Sequence, residues 1–383
     1  MILFKRIRLA EGSFYVNDKY IGGNPNIEQY RLLSTTCYEV QRNVNVIPVQ
    51  NGIILPLKKG RGGVIDENDH FIEESFHDGE YLKFGGYYEH DEAEYIDETV
   101  IFGGYFIKQW GHFLMDSLNR LWAVDDYKEC KIIVLNNNND EIDGNYERIY
   151  ELLGISSSRI VCPTRPLKYK KIVIPMECSF SNRTYTTKYK ELIDKIVLHA
   201  AKDFAIHKCV YLTRTHFSDA QSKEIGEERI EKEFALNGFE IIAPETLRVD
   251  DQIALFQKAE VVVCVNGTIP FNVIFAKRDL KLIVLNKTSR IHDNLFEMCS
   301  VAGIEPTYVD VYKEPFSDYP KNLGDGPFWL CISKDLQIFF SDNNMMIAKS
   351  PKKATLHEYR RYLFLYVKRK GKDTIKKIIK RLI

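Results

Sequence analysis

From residue 205 the chain repeats one pattern. Apolar runs of strand length alternate with segments of helix length: "KCVYLTR", "EIGEERIEKEFALNG", "FEIIAPE", "RVDDQIALFQKAE", "VVVCVNG", "TIPFNVIFAK" and "LKLIVLN". A strand that is apolar throughout needs both faces covered, and the intervening helices supply the cover. Such helices are right-handed crossovers between parallel strands. The pattern predicts a Rossmann-like layer over about 205–310, and no other feature restricts the fold as strongly.

The part before it reads differently. "NVNVIPVQNGIILPL" alternates and breaks at Pro48 and at Asn51-Gly52, and "YIDETVIFGGYF" is strand-like, so residues 1 to about 100 predict an antiparallel β start. A helix is expected over 111–126, then a strand in "KIIVLN", a helix in "NYERIYELLG", and short strands in "RIVCP" and "KKIVIP". A longer helix, roughly Tyr185 to Phe204, is expected to bridge the halves. The expected fold class is α/β, with two Rossmann-like lobes facing a cleft. Its expected parts are a β-rich N-terminal lobe (1–190), a Rossmann-like lobe (191–345) and a basic helical tail (346–383).

Composition narrows the function. Of 383 residues 45% are hydrophobic and 28% charged, as in ordinary globular proteins. The formal net charge is zero, yet Pro351 to Ile383 holds twelve Lys/Arg against two acids. A basic tail on an acidic body argues against nucleic acid as a partner and for an anionic surface. The eight Cys are scattered, without CxxC or zinc spacing, which points to free thiols in a reducing cytoplasm. "MILFKRIRLAEGS" lacks the apolar core of a signal peptide, and no run has transmembrane length.

In open parallel sheets ligands bind beyond the strand C-termini. The residues there are Arg214, Glu245 and the turn Asn266-Gly267-Thr268. Pro270 suits a first helical turn, and Thr268 is placed to cap it, so the turn could receive phosphate or be a plain helix cap. Arg214 and Lys223 could balance the charge that grows on a diphosphate leaving group, or could be solvated surface charges. Neither GxxxxGK[ST] nor GxGxxG is present. In the first half, "WGHFLMDSLNRLWAV" sets His112, Asp116 and Arg120 on one helical stripe. That stripe could be an acid/base pair or a polar network that only fixes the helix. The acidic run "YYEHDEAEYIDE" reads as a solvated loop and not as a metal site.

Together these residues resemble glycosyltransferase family 61. "WGHFLMDSLNRLWAV" is similar to that family's Gly-His-Phe…Glu/Asp…Leu…Arg-Leu motif, the second half follows the family order, and the resemblance covers about residues 80–310. His112 and Asp116 match the first motif, and Arg214 the strand-end Arg. Glu227 matches the Glu of an Asn-Glu pair in which Gly226 replaces Asn. Lys223 stands near a second Arg. Glu245, Gln252, Phe256, Gly267 and Asn272 match, while Asn266 replaces a His and Thr268 an Ala. The resemblance implies a GT-B fold and inverting transfer from a nucleotide sugar to a glycan or lipid-linked glycan, without a metal or other cofactor. Asp116 or His112 would be the base. Arg214, Lys223, Glu227, Glu245, Asn266, Gly267, Thr268 and Asn272 would serve the donor. Capsular-type polysaccharide synthesis is the implied setting. Another GT-B-like transferase, such as a pyruvyl transferase, or a non-catalytic glycan- or nucleotide-binding partner are the alternatives.

In the tail, Tyr359, Tyr362, Leu363 and Tyr366, then Ile375, Ile378, Ile379 and Leu382, fall at helical spacing among basic residues. A basic amphipathic helix predicts peripheral contact with the inner face of the cell membrane, or packing back on the first lobe.

Overall fold

The computed structural model describes residues 19–136, 140–201, 205, 208–316, 323–349 and 353–382. The chain divides into two compact units, one of residues 37–201 and one joining the residues up to 36 with those from 202 onward. In chain order the main strands are β1 (Tyr20–Ile21), β2 (Val46–Gln50), β3 (Ile53–Lys58), β4 (Arg61–Ile65), β5 (Glu94–Phe106), β6 (Lys131–Asn136), β7 (Ile160–Val161) and β8 (Leu167–Pro175). Then follow β9 (Cys209–Leu212), β10 (Glu240–Ile242), β11 (Val261–Val265), β12 (Lys281–Asn286) and β13 (Thr307–Asp310). The α/β class is as expected, with one mixed and one parallel main sheet.

In the unit of residues 37–201 the sheet order is β4-β3-β8-β5-β6-β7, with β2 also on β8. Strands β8, β5, β6 and β7 run parallel. The antiparallel start holds for β2, β3 and β4. Asn51-Gly52 does not reverse the chain. Gln50 pairs with Lys171 and Ile53 with Lys168, so one register continues along β8 through the left-handed Asn51 (φ 49). Val100, Phe102, Ile133, Leu135, Ile172 and Ile174 fill the core. Strand β5 bulges at Gly104, whose φ of 93 favours glycine. A Cβ there would stand 3.1 Å from Cδ of Arg120.

The single helix expected over 111–126 is three short pieces. An α turn (Trp110–His112) passes into a π turn (Phe113–Ser117) and, after a gap, a 3-10 segment (Leu121–Tyr127). Tertiary donors take main-chain carbonyls along this stretch: Tyr189 Oη donates to Leu114 O at 2.8 Å, and Cys178 N to Asn119 O at 3.1 Å. Competition of this kind relaxes a regular i→i+4 ladder. The expected bridging helix spans Thr187–His199 and lies wholly within this unit, with Tyr189, Leu192, Ile193 and Ile196 buried. Residues 202–204 of the expected span lie outside the described residues.

The second unit carries the parallel layer, in the order β1-β13-β12-β11-β9-β10. From β9 the chain moves outward to β10 and returns to β11 on the opposite side of β9. That reversal is the switch point at which such sheets bind ligands. The segment expected to be helical after β11 is a 3-10 stretch, Ile269–Phe275.

The N-terminal segment departs from the expected lobe boundary. Strand β1 pairs in parallel with β13 of the second unit, and the helix Asn24–Ser34 follows it. Asp310, ending β13, accepts hydrogen bonds from Tyr20 Oη (2.6 Å), Gly23 N (2.9 Å), Asn26 Nδ2 (3.1 Å) and Asn286 Nδ2 (2.9 Å). Long-range pairing of this sort leaves no local periodicity to read.

The tail is one helix, Leu356–Leu382. It packs on its own unit: Tyr362, Leu365 and Tyr366 close over Ile225 and Trp329. Arg229 pairs with Glu358 at its start. Among the described residues no helix is long and apolar enough to cross a membrane.

A Cβ at Gly22 would lie 2.1 Å from Oδ2 of Asp310. Gly22→Ala is therefore expected to lower stability by about 1–3 kcal/mol, measured as a lower chemical-denaturation midpoint. An unchanged midpoint would show that Asp310 does not hold this segment.

Candidate active site

The first unit gathers more around Asp116 than the motif suggested. His112 Nδ1 lies 2.6 Å from Asp116 Oδ2. The other carboxylate oxygen faces His77, whose Nε2 is 3.7 Å from Oδ1. His77 Nδ1 is 2.8 Å from Oε1 of Glu177. Glu177 in turn pairs with Arg120 Nη2 at 3.3 Å. The result is a line in which basic and acidic side chains alternate, His112–Asp116–His77–Glu177–Arg120.

Each member is placed by its element. His112 and Asp116 flank the junction between the α and π turns. Gln109 accepts from His112 N at 3.0 Å and so caps the α turn. Arg120 is 1% exposed and donates to the carbonyls of Glu74 (2.7 Å), Phe76 (2.8 Å) and Pro175 (2.6 Å). It therefore fixes the backbone beside His77 and Glu177 and does not touch Asp116. Burial lowers the basicity of His77, but the Glu177 hydrogen bond and the charges of Glu177 and Asp116 leave it raised above the ordinary value. Burial alone would raise the Glu177 carboxyl, yet Arg120 and His77 hold it low. Both shifts favour the charged forms of His77 and Glu177. His112 is 23% exposed, so this end of the line is the one that meets solvent.

The second cluster lies at the switch point. Arg214, two residues past β9, is 7% exposed and sets Nε 3.2 Å from Oε2 of Glu224. Lys287, just past β12, sets Nζ 2.5 Å from Oε1 of the same carboxylate and 4.6 Å over the Phe328 ring. Gly267 follows β11, and a Cβ there would come within 2.3 Å of Arg214 Nη1. The guanidinium crosses this backbone, and a side chain at position 267 would displace it. Glu227 accepts from Arg214 N (3.0 Å) and from Tyr211 Oη (3.2 Å). Burial, with Glu224 nearby, pushes its carboxyl up to about 8, so it is protonated at neutral pH. Burial lowers Lys287 to about 8 despite Glu224. At neutral pH two cations then face one carboxylate, which leaves a net positive charge.

The other residues singled out in the sequence lie elsewhere. Asn266 is buried and donates to Asn286 Oδ1 (3.0 Å) and Arg290 O (3.2 Å). Asn272 is buried and donates to Gln252 at 2.7 Å, which ties the 3-10 stretch to the helix Val249–Lys258. Thr268 occupies the N-cap position without a side-chain cap bond. Glu245 is exposed on the short turn Pro244–Thr246. Lys223 pairs with Asp219 at 2.8 Å. Sequence reading missed His77, Glu177, Glu224 and Lys287. Lys287 carried a signal, since it directly follows an apolar parallel strand. His77 sits in a two-residue strand, and no periodicity marked it.

In the acidic run, Glu94 pairs with Arg165 and Asp97 with Lys170, all exposed. Among the described residues no group of three or more His, Cys, Asp or Glu is placed to hold a metal ion. All eight cysteines are free.

Residues 110–283 match the family model described as Glycosyltransferase 61. The family resemblance read from the motifs is thus borne out over that segment, which begins with the α turn that ends at His112 and stops inside β12. His77 and Lys287 lie outside it. No curated protein matches the chain.

Two outcomes follow from this geometry. Arg120→Met would leave Glu177 and three carbonyls without their buried partner, and is expected to cost about 3–5 kcal/mol in denaturant unfolding. Parent-like stability would remove Arg120 as the anchor. Because Glu227 is raised in the folded state, the stability it supplies is present below the ordinary Glu range and lost as pH rises through about 8. Glu227→Gln keeps an acceptor for Arg214 N and Tyr211 and cannot ionise. The stability difference, variant minus parent, should rise between the ordinary Glu range and about pH 8. A pH-independent difference would show that the Glu227 carboxyl titrates alike in the folded and unfolded chain.

Proposed function

We propose that this protein, matched over residues 110–283 to glycosyltransferase family 61, is an inverting glycosyltransferase that uses a nucleotide-sugar donor and a glycan or lipid-linked glycan acceptor. The observation that carries the reading is the 2.6 Å His112–Asp116 contact within the matched segment. In this reading the first unit supplies the base and the second the charge for the leaving group, as acceptor-side and donor-side units of a GT-B enzyme.

Asp116 has an imidazole against each oxygen, so it is better suited to orient a proton acceptor than to be one. With Nδ1–H donated to Asp116, His112 keeps a lone pair on Nε2. Nε2 takes the acceptor hydroxyl proton as the oxygen attacks the anomeric carbon. The bond from that carbon to the diphosphate oxygen breaks, and its electron pair leaves with the nucleotide diphosphate. Arg214 and Lys287, sharing one carboxylate, offset that charge. Lys223 and Glu245 are not needed for this step, Asn266 holds a strand end, and Asn272 ties the 3-10 stretch to the helix Val249–Lys258.

Synthesis of capsular-type polysaccharide is supported by the family resemblance. Peripheral attachment to an anionic membrane surface is supported by the cationic tail helix.

The test is a panel of nucleotide sugars, with product formation and unfolding midpoint as readouts. One donor should raise the midpoint, and Arg214→Ala should abolish the shift. His112→Ala should reduce kcat by roughly 10²–10⁴ with little change in stability. Turnover that survives His112→Ala would remove the assigned base, and a chain indifferent to every donor would remove the enzymatic reading.

A further inference from the structure

Lys223 helps line a groove of about 290 Å³ between the 222–223 and 324–327 segments and the tail helix. Four cations line it, Lys223, Lys368, Arg369 and Lys372, against two carboxylates, Asp325 and Asp373. Lys223 is held by Asp219, and Arg369 lies 3.7 Å from Asp373. Lys368 and Lys372 have no ion pair among the described residues. Nη1 of Arg369 is buried and lacks a hydrogen-bond partner there. Gly326 (φ 57) brings one wall so near that a Cβ would stand 2.7 Å from Cβ of Lys223. A concave surface with spare cationic donors suits a phosphate group.

The same helix carries a second signal. Leu363, Phe364, Val367 and Ile375 are 42%, 66%, 65% and 58% exposed, although Tyr362, Leu365 and Tyr366 pack inward. At helical spacing these four form one outward stripe, and Lys368 and Lys372 stand between the stripe and the groove. An apolar stripe edged by cations lies flat in a lipid interface.

We propose that the groove is a subsite for the phosphate of a membrane lipid, filled while the stripe rests in the lipid surface. The proposal builds on the membrane attachment suggested above and adds a specific headgroup. A phosphomonoester carries nearly twice the charge of a phosphodiester at neutral pH, so two spare lysines and a guanidinium should prefer it.

The full chain would be sedimented with vesicles of phosphatidylcholine alone, with added phosphatidylglycerol, and with added phosphatidic acid at matched surface charge. Phosphatidic acid vesicles should bind about tenfold more tightly than phosphatidylglycerol ones. The double change Arg369→Gln with Lys372→Gln should erase that preference. The pair Arg360→Gln with Lys370→Gln, equal in charge but outside the groove, should weaken both vesicle types alike and keep it. Phe364→Asp with Val367→Asp should release the protein from all vesicles at an unchanged unfolding midpoint. Equal binding to the two anionic vesicles, or equal effects of the two charge pairs, would leave general attraction to the surface and overturn the subsite. Failure to bind any vesicle would overturn the attachment itself. If inorganic phosphate then raised the midpoint of the parent and not of the groove variant, the groove would take soluble phosphate and the lipid assignment would fall.

Discussion

The candidate site of the first unit depends on one buried guanidinium. Arg120 gathers three carbonyls from two chain segments and pairs with Glu177. An unpaired charge at that depth would be prohibitive, so the segments at 74–76 and 175–177 must come to it. Once they do, His77 is fixed between Glu177 and Asp116. Gly104 leaves room for the Arg120 side chain, which links a bulge in the central strand to the arrangement around His112. A stripe of three polar residues at helical spacing is thus divided. Arg120 builds the floor, and His112 remains at the surface.

The second unit solves the same problem with strand ends. Three parallel strands deliver Arg214, Gly267 and Lys287 to one edge, and Glu224 binds the two cations together. Two cations without that carboxylate would repel each other in a buried place. With it, they keep one surplus charge near backbone that glycine leaves uncovered. The asparagines at the neighbouring strand ends face one another: Asn266 bonds Asn286, and Asn286 bonds Asp310. Residues that look equally exposed in the sequence therefore divide into those that can meet a ligand and those that hold the edge.

The parallel layer was legible because burial on both faces leaves a continuous apolar signature, as in "VVVCV" and "KLIVLN". His112, Asp116 and Arg214 were legible because they follow from helix spacing and from the strand-end rule. The missing members, His77, Glu177 and Glu224, come from two-residue strands or connecting turns, where no period exists to be read. The long helix expected at Gly111 failed for a related reason. Its pattern of apolar residues is helical, but Tyr189 and Cys178, distant in sequence, take carbonyls along it. The Asn51-Gly52 pair breaks the alternation, yet β8 holds the residues on both sides in one register.

The Asp310 clamp has a consequence for how the chain is made. Tyr20 and Asp310 are 290 positions apart, and everything in residues 37–201 lies between them. During vectorial synthesis the first unit can complete its sheet while β13 is still untranslated. Strand β1 must meanwhile wait with a free edge, and the second unit can close only after most of the chain has emerged. The molecule is therefore an early-maturing insert within a late-maturing host, and the host's first strand is the segment exposed for longest to wrong partners.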